Sequence, residues 1–244
     1  MKVEDTPTFS VSEKLTVIVE DAWATAVANV PVKMASATGP VVATGSTDAE
    51  GKFVATVAAY VQTAAGKDSR MQPHAVTANC TLVPTTGYPG YNAEWSPKIV
   101  TKSANISGPS SVTIQTGMII RYQLVTVARG PGGRAVPGAS VVYKNAQGET
   151  VKTGTTNAQG QYSDPVIAYV MNPSGKDTTM NPYSVVAAFS SGEVQSLVDT
   201  SSGSMSIAIM EHVEPAYDWT PVAVMDGVAA LVLGAALFVA ARKP

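Results

Sequence analysis

The chain repeats itself at a constant offset, and that narrows its possible folds sharply. Thr44–Gly45–Ser46–Thr47–Asp48–Ala49–Glu50–Gly51–Lys52–Phe53 matches Thr153–Gly154–Thr155–Thr156–Asn157–Ala158–Gln159–Gly160–Gln161–Tyr162, 109 positions later. Ala59–Tyr60–Val61 matches Ala168–Tyr169–Val170, and Gly66–Lys67–Asp68 matches Gly175–Lys176–Asp177 at the same offset. Met71 with Pro73 returns as Met180 with Pro182. Between 44–78 and 153–187, 16 of 35 positions are identical without a gap, where chance gives roughly two or three. Self-similarity of this kind marks a duplicated structural unit. The offset divides the chain into an N-terminal segment at 1–11, one repeat at 12–110 and a second at 111–212.

Both copies read as strands. Leu15–Thr16–Val17–Ile18–Val19, Lys52–Phe53–Val54–Ala55–Thr56–Val57 and His74–Ala75–Val76–Thr77–Ala78 are short, β-branched and largely alternating. Their counterparts include Arg121–Tyr122–Gln123–Leu124–Val125–Thr126–Val127 and Tyr183–Ser184–Val185–Val186–Ala187–Ala188. Such runs are bounded by Gly, Pro and Asp/Asn, which suit turns. Six or seven strands per hundred residues predict a β-sandwich in each copy. The matched segment at Asp48–Gly51 and Asn157–Gly160 is first of all a hairpin turn. The acid or amide accepts backbone N–H bonds, and the glycine takes a positive φ.

Val136–Pro137–Gly138–Ala139–Ser140–Val141, followed by Gly154 to Tyr162, resembles the carboxypeptidase regulatory-like and Cna protein B-type domains. The first copy keeps Gly45 to Phe53 and is degenerate upstream. The resemblance implies prealbumin-like sandwiches, found in stalks, spacers, adhesins and cell-envelope proteins. Relatives of the Cna class can carry lysine isopeptide cross-links. Lys33, Lys102 and Lys144 are the lysines to consider, but no triad with an acid and an Asn or Asp stands out.

Beyond the second copy the character of the chain changes. Pro221 to Ala241 is apolar except for Asp226, and Arg242–Lys243 follow. About 21 helical residues span roughly 30 Å, the thickness of bilayer hydrocarbon. Tyr217 and Trp219 precede the run, at the level where such rings prefer the headgroups. We therefore expect an all-β chain of two tandem Ig-like or prealbumin-like β-sandwiches followed by one C-terminal transmembrane α-helix. A tether covers 213–220, the span 221–241 and a tail 242–244. The cationic tail places the C-terminus in the cytoplasm and both sandwiches outside, on a single-pass cell-membrane protein. The segment Met1 to Leu15 has no apolar core of the kind an export signal needs. A removed signal, a place at the C-terminal end of a longer surface protein, a misassigned start, or a tail-anchored protein with both domains in the cytoplasm would account for that; the cationic tail argues against the last. Asp226, Ala230 and Gly234 are candidates for helix association in lipid, through a carboxylate and a small-xxx-small face.

Composition excludes several classes of function. Charged residues make up 14% of the chain and the net charge is −2, with no basic cluster outside the tail; a nucleic-acid partner is not expected. The chain has two histidines and one cysteine. No HExxH, Cys–His zinc spacing, phosphate loop or nucleophile elbow is present. No enzyme, catalytic residue, metal or cofactor is expected. Cys80 has no partner for a disulfide, and we read it as a small buried hydrophobe. His74 aligns with Tyr183, which reads as a tolerant position.

Three groups remain as candidate contacts. Tyr88, Tyr91 and Trp95 lie in a Gly/Pro-rich excursion unique to the first copy. They either stack on a sugar or protein partner or plug the seam between sandwiches. Lys67, Asp68, Lys176 and Asp177 occupy what reads as a repeated loop of about a dozen residues, docking a neighbour or bonding locally. Asn79 and Asn105 begin N-x-[ST] triplets and become glycosylation sites if the domains face outward. The expected role is a non-enzymatic, membrane-anchored surface stalk, adhesion or S-layer-like module. An accessory subunit of a membrane complex and a carbohydrate-binding module are the alternatives. Expected partners are the lipid bilayer and other proteins of the surface or membrane.

Overall fold

The computed structural model describes residues 8–90 and 92–212. Tyr91, the tether and the apolar run at 221–241 with Asp226, Ala230 and Gly234 lie outside the described residues. Among those described, no helix is long and apolar enough to cross a membrane.

The first repeat contains β1 (Phe9–Glu20), β2 (Pro31–Ala35), β3 (Val41–Ser46), β4 (Lys52–Thr63), β5 (Gly66–Asp68), β6 (His74–Asn79), β7 (Glu94–Trp95), β8 (Ile99–Ala104) and β9 (Ser110–Gln115). The second contains β10 (Met118–Arg129), β11 (Ser140–Lys144), β12 (Thr150–Thr155), β13 (Gln161–Asn172), β14 (Gly175–Asp177), β15 (Tyr183–Phe189), β16 (Gly192–Val198) and β17 (Met205–Met210). In the first, sheet β5-β4-β1-β9 faces sheet β3-β2-β6-β8; in the second, β14-β13-β10-β17 faces β12-β11-β15-β16. The first five strands of each copy have the same bounds at an offset of 109, and a register shift at Val11/Ser12 recurs at Ile120/Arg121. After β6 the copies diverge. The offset falls to 95 by β9 and β17 (110 against 205), because only the first copy carries the excursion that holds β7.

Three expectations are corrected. The turn at Asp48–Gly51 and Asn157–Gly160 is not a hairpin, because it joins β3 to β4 and β12 to β13, which lie in opposite sheets. The repeat boundary at 110/111 cuts off a strand of the first copy. Ser110–Gln115 pairs in parallel with Leu15–Glu20 of β1, so the first sandwich runs on to Gln115. Gly66–Lys67–Asp68 and Gly175–Lys176–Asp177 are short edge strands, not loops. Each folds back on the strand before it, with Val61↔Asp68 and Val170↔Asp177 in register. The glycine suggested a loop, but the turn lies just before it, at Ala64–Ala65 and Pro173–Ser174, and Gly66 (φ +118°) and Gly175 (φ +127°) already open the strands.

Alternation drives core formation. On β1, Leu15, Val17 and Val19 point inward, and on β6, Val76 and Ala78 do the same from the facing sheet. Leu124, Val141, Tyr143, Val185 and Ile209 fill the second core. The repeated motif supplies three devices at each sandwich corner. Thr47 Oγ1 donates to Val27 O (2.7 Å) and accepts from Val30 N–H (2.9 Å); Thr156 Oγ1 does so with Val136 O (2.6 Å) and Ala139 N–H (2.9 Å). Asp48 Oδ1 accepts the N–H groups of Glu50 and Lys52, and Asn157 Oδ1 those of Gln159 and Gln161. Gly45 and Gly154 make room for an aromatic ring. A Cβ on either would collide with the ring of Phe53 or Tyr162.

Removing either threonine hydroxyl leaves one carbonyl and one N–H without that partner: both buried beside Thr47, and a part-buried carbonyl with a buried N–H beside Thr156. Thr47→Val and Thr156→Val are each expected to lower stability by about 1–3 kcal/mol. Thr44→Val, at an exposed position on β3 just before the same turn, is expected to stay within about 0.5 kcal/mol. Urea unfolding followed by circular dichroism compares the three.

Candidate functional site: the seam between the sandwiches

The excursion of the first copy closes onto the second copy. β7 pairs antiparallel with the start of β10, Trp95 opposite Met118 and Glu94 opposite Ile119. Trp95 is 4% exposed, and its Nε1–H donates to Val83 O at 2.9 Å. It shares one continuous core with Leu15, Val17 and Met34 of the first repeat and with Met118, Ile120, Ala168 and Tyr169 of the second. Gly117 allows the close approach, since a Cβ there would collide with Ser96 O. Of the two roles open to Trp95, the geometry assigns the plug. Its buried ring offers no open stacking face.

An aromatic ladder leads from the plug to the surface. Tyr88 meets Trp95 edge-on at 5.4 Å, and Trp23 stacks on Tyr88 at 5.8 Å with 39% of its surface exposed. Asp21, buried, anchors the ladder. Its Oδ1 accepts the N–H groups of Trp23 (2.8 Å) and Thr25 (2.9 Å). Burial, with a hydrogen bond to Asp21, pushes the Tyr88 hydroxyl above its usual range. Sequence reasoning missed Trp23 and Asp21. The signal was present, because the second copy has Gly132 and Gly130 at those positions.

A charged rim surrounds the plug. Glu94 lies 2.7 Å from Lys98 Nζ and 3.1 Å from Arg121 Nη1, and these cations, Lys98 foremost, hold its carboxyl below the usual carboxylate range. Arg121 also donates to Asn92 O at 3.2 Å. Thr85, Tyr88, Asn92, Glu94 and Arg121 line an open cleft of about 480 Å³. Such half-exposed pairs contribute little to stability, about 0–1 kcal/mol.

The other candidates resolve locally. Lys67 Nζ sits 4.2 Å above the Tyr60 ring and Lys176 Nζ 4.2 Å above the Tyr169 ring, the same cation–π contact in each copy. Asp68 is paired with Arg70 at 2.7 Å, and Asp177 accepts the Thr179 N–H at 2.9 Å. Asn105 is exposed, and Asn79 is half-buried with its Oδ1 accepting the Thr81 N–H. Lys33, Lys102 and Lys144 are not buried, unlike a cross-linked core lysine. Among the described residues no three His, Cys, Asp or Glu side chains converge as a metal site. Cys80 is buried, and burial pushes its thiol up to about 11.

His74 is the exception to the reading of a tolerant position. It is 0% exposed, and neither ring nitrogen has a hydrogen-bond partner among the described residues. Its counterpart Tyr183 is just as deeply buried but donates its hydroxyl to Ile167 O at 2.9 Å. The shorter imidazole lacks that bond, and burial lowers its pKa below 6.5.

No family model matches the chain, and no curated protein matches it. Among solved structures it is similar to the Bacillus anthracis TIE protein, at 16% identity and a TM-score of 0.34 over 82% of this chain and 34% of that one. The chain thus spans about a third of the length of that protein. It is also similar to the shaft pilin spaA from Lactobacillus rhamnosus GG, at 11% identity and a TM-score of 0.34, over 84% of this chain and 100% of that one. A Streptococcal ancillary pilin gives 10% identity and a TM-score of 0.36 over 83% and 63%.

Trp95→Ala is expected to cost about 3–5 kcal/mol and to split one unfolding transition into two, read by calorimetry. The histidine has its own signature. Its folded pKa is depressed, so its neutral form is favoured in the fold. The stability tied to that form is fully present above about pH 6.5 and is lost as pH falls towards the folded pKa. Urea midpoints at about pH 7.5 and about pH 5 are expected to differ less in His74→Phe than in the unaltered chain.

Proposed function

We propose that the chain is a non-enzymatic surface module in which two sandwiches form one stiff spacer tethered to a membrane by residues 221–241. The observation that carries this reading is the shared core at Trp95. Tandem domains normally move on small, polar interfaces, whereas here a buried indole and a strand pair join the two. β1 starts at the end of the first sandwich far from the seam, and β17 finishes at the far end of the second, beside Arg129. With 12-residue strands β1 and β10 in series, the pair reaches roughly 80 Å at about 3.3 Å per residue. A spacer of this build holds its tip at a set distance from the surface.

An outward-facing stalk, adhesive or envelope role suits that architecture, with lipid and surface proteins as partners. In this topology Asn105 is the more accessible glycosylation acceptor. The accessory-subunit alternative rests on Asp226, Ala230 and Gly234. The carbohydrate alternative retains Tyr88 and gains Trp23, but without Trp95 as a platform it is the weaker.

Phase partition in a cloud-point detergent tests the anchor. The full chain is expected in the detergent phase and a chain ending at His212 in the aqueous phase. Equal partition of the two would overturn the tether, and protection of the sandwiches from protease on intact cells would overturn the outward orientation.

A further inference from the structure

The far end of the first sandwich carries an unfilled copy of the seam. At the seam, β10 is flanked on one edge by β13 along its length. On its other edge β17 pairs only from Leu124 onward, and β7 fills the space beside Met118 and Ile119. β1 repeats this arrangement 109 positions earlier. β4 pairs with one edge from Phe9 to Ile18, and β9 pairs with the other only from Leu15. No described strand takes the place of β7 beside Phe9 and Ser10. The side chains correspond too: Phe9 to Met118, Val11 to Ile120, Tyr60 to Tyr169. Burial does not, for Phe9 is 54% exposed where Met118 is 0%. An exposed aromatic on an unpaired strand edge is a template for strand addition.

We propose that this slot docks an extended segment of a separate sandwich protein, one that carries an indole-sized apolar side chain in a two-residue strand like Glu94–Trp95. Continuity with the filled seam favours this occupant: the strand register, the apolar positions and the edge that β17 leaves for β7 on β10 all recur on β1, where β9 leaves the same edge open. A second copy of this chain is a poor occupant, because its own Trp95 is locked in its own seam. Two departures define the partner further. Ser12 stands where Arg121 binds Glu94, so the partner segment needs no acid. Thr8 stands where Gly117 admits Ser96 O, so the partner strand turns away after pairing with Phe9 and Ser10. The slot would work the same way with or without a membrane tether.

The test adds a synthetic peptide with the sequence of residues 88–98 to the full chain in mild detergent, with backbone amide shifts as the readout. Saturable shifts at Phe9 and Ser10 are expected. They should weaken at least about fivefold when alanine replaces the peptide's tryptophan, and be lost in Phe9→Ser, a substitution at an exposed site that leaves the fold intact. Three results would overturn the proposal: no shift at Phe9 and Ser10 at millimolar peptide, equal binding of the alanine peptide, or shifts confined to Met118 and Ile119, which would mean displacement of the chain's own β7.

Discussion

A buried hydroxyl at each sandwich corner underlies the whole architecture. Thr47 and Thr156 each tie two loop backbones together with one side chain. The loop entering β2 or β11 is thereby fixed against the turn that leads from β3 into β4 or from β12 into β13. These loops cross from one sheet to the other, so the hydroxyl sets how the two sheets face. Backbone groups buried in such a crossing need partners, and a single Thr supplies both a donor and an acceptor. The glycines at 45 and 154 then let Phe53 and Tyr162 close over the corner. Turn, crossing and ring placement form one unit, and both copies keep it.

With both sandwiches built alike, their junction depends on what differs. The first copy uses an additional stretch between β6 and β8 for the plug. The second copy replaces that stretch with a tight hairpin, in which Phe189 pairs with Gly192 across Ser190 and Ser191. The joint therefore has a direction. One sandwich end donates an indole and the other receives it, through Met118, Ile120, Ala168 and Tyr169.

Much of this was legible in the primary sequence, for a physical reason. The 109-residue offset reports shared backbone geometry, and the strand bounds from β1 to β5 obey it. Alternation around Leu15 and Val185 marked these runs as strands, because side chains in strands point to opposite sides. What escaped notice depended on long-range pairing. Ser110–Gln115 has no local feature to assign it to the first sandwich; only its ladder with β1 does. Gly66–Asp68 looks like a loop because glycine dominates its signal. The plug was half legible, since an aromatic excursion suggests burial or binding equally, and only the facing Met118 decides. His74 misled for the opposite reason. A residue aligned with tyrosine looks replaceable, yet the fold keeps it dry and without a partner among the described residues.

The parallel pairing of first and last strands has a mechanical meaning. In each sandwich the chain enters on β1 or β10 and leaves on β9 or β17, and each entering strand lies alongside the leaving one through six residue pairs. Tension applied between the two ends of such a module runs along these neighbouring strands in shear. The evenly spaced rungs of a parallel ladder then carry the load together, where a hairpin would unzip one rung at a time. A chain built this way resists being pulled apart lengthwise more than it resists being peeled.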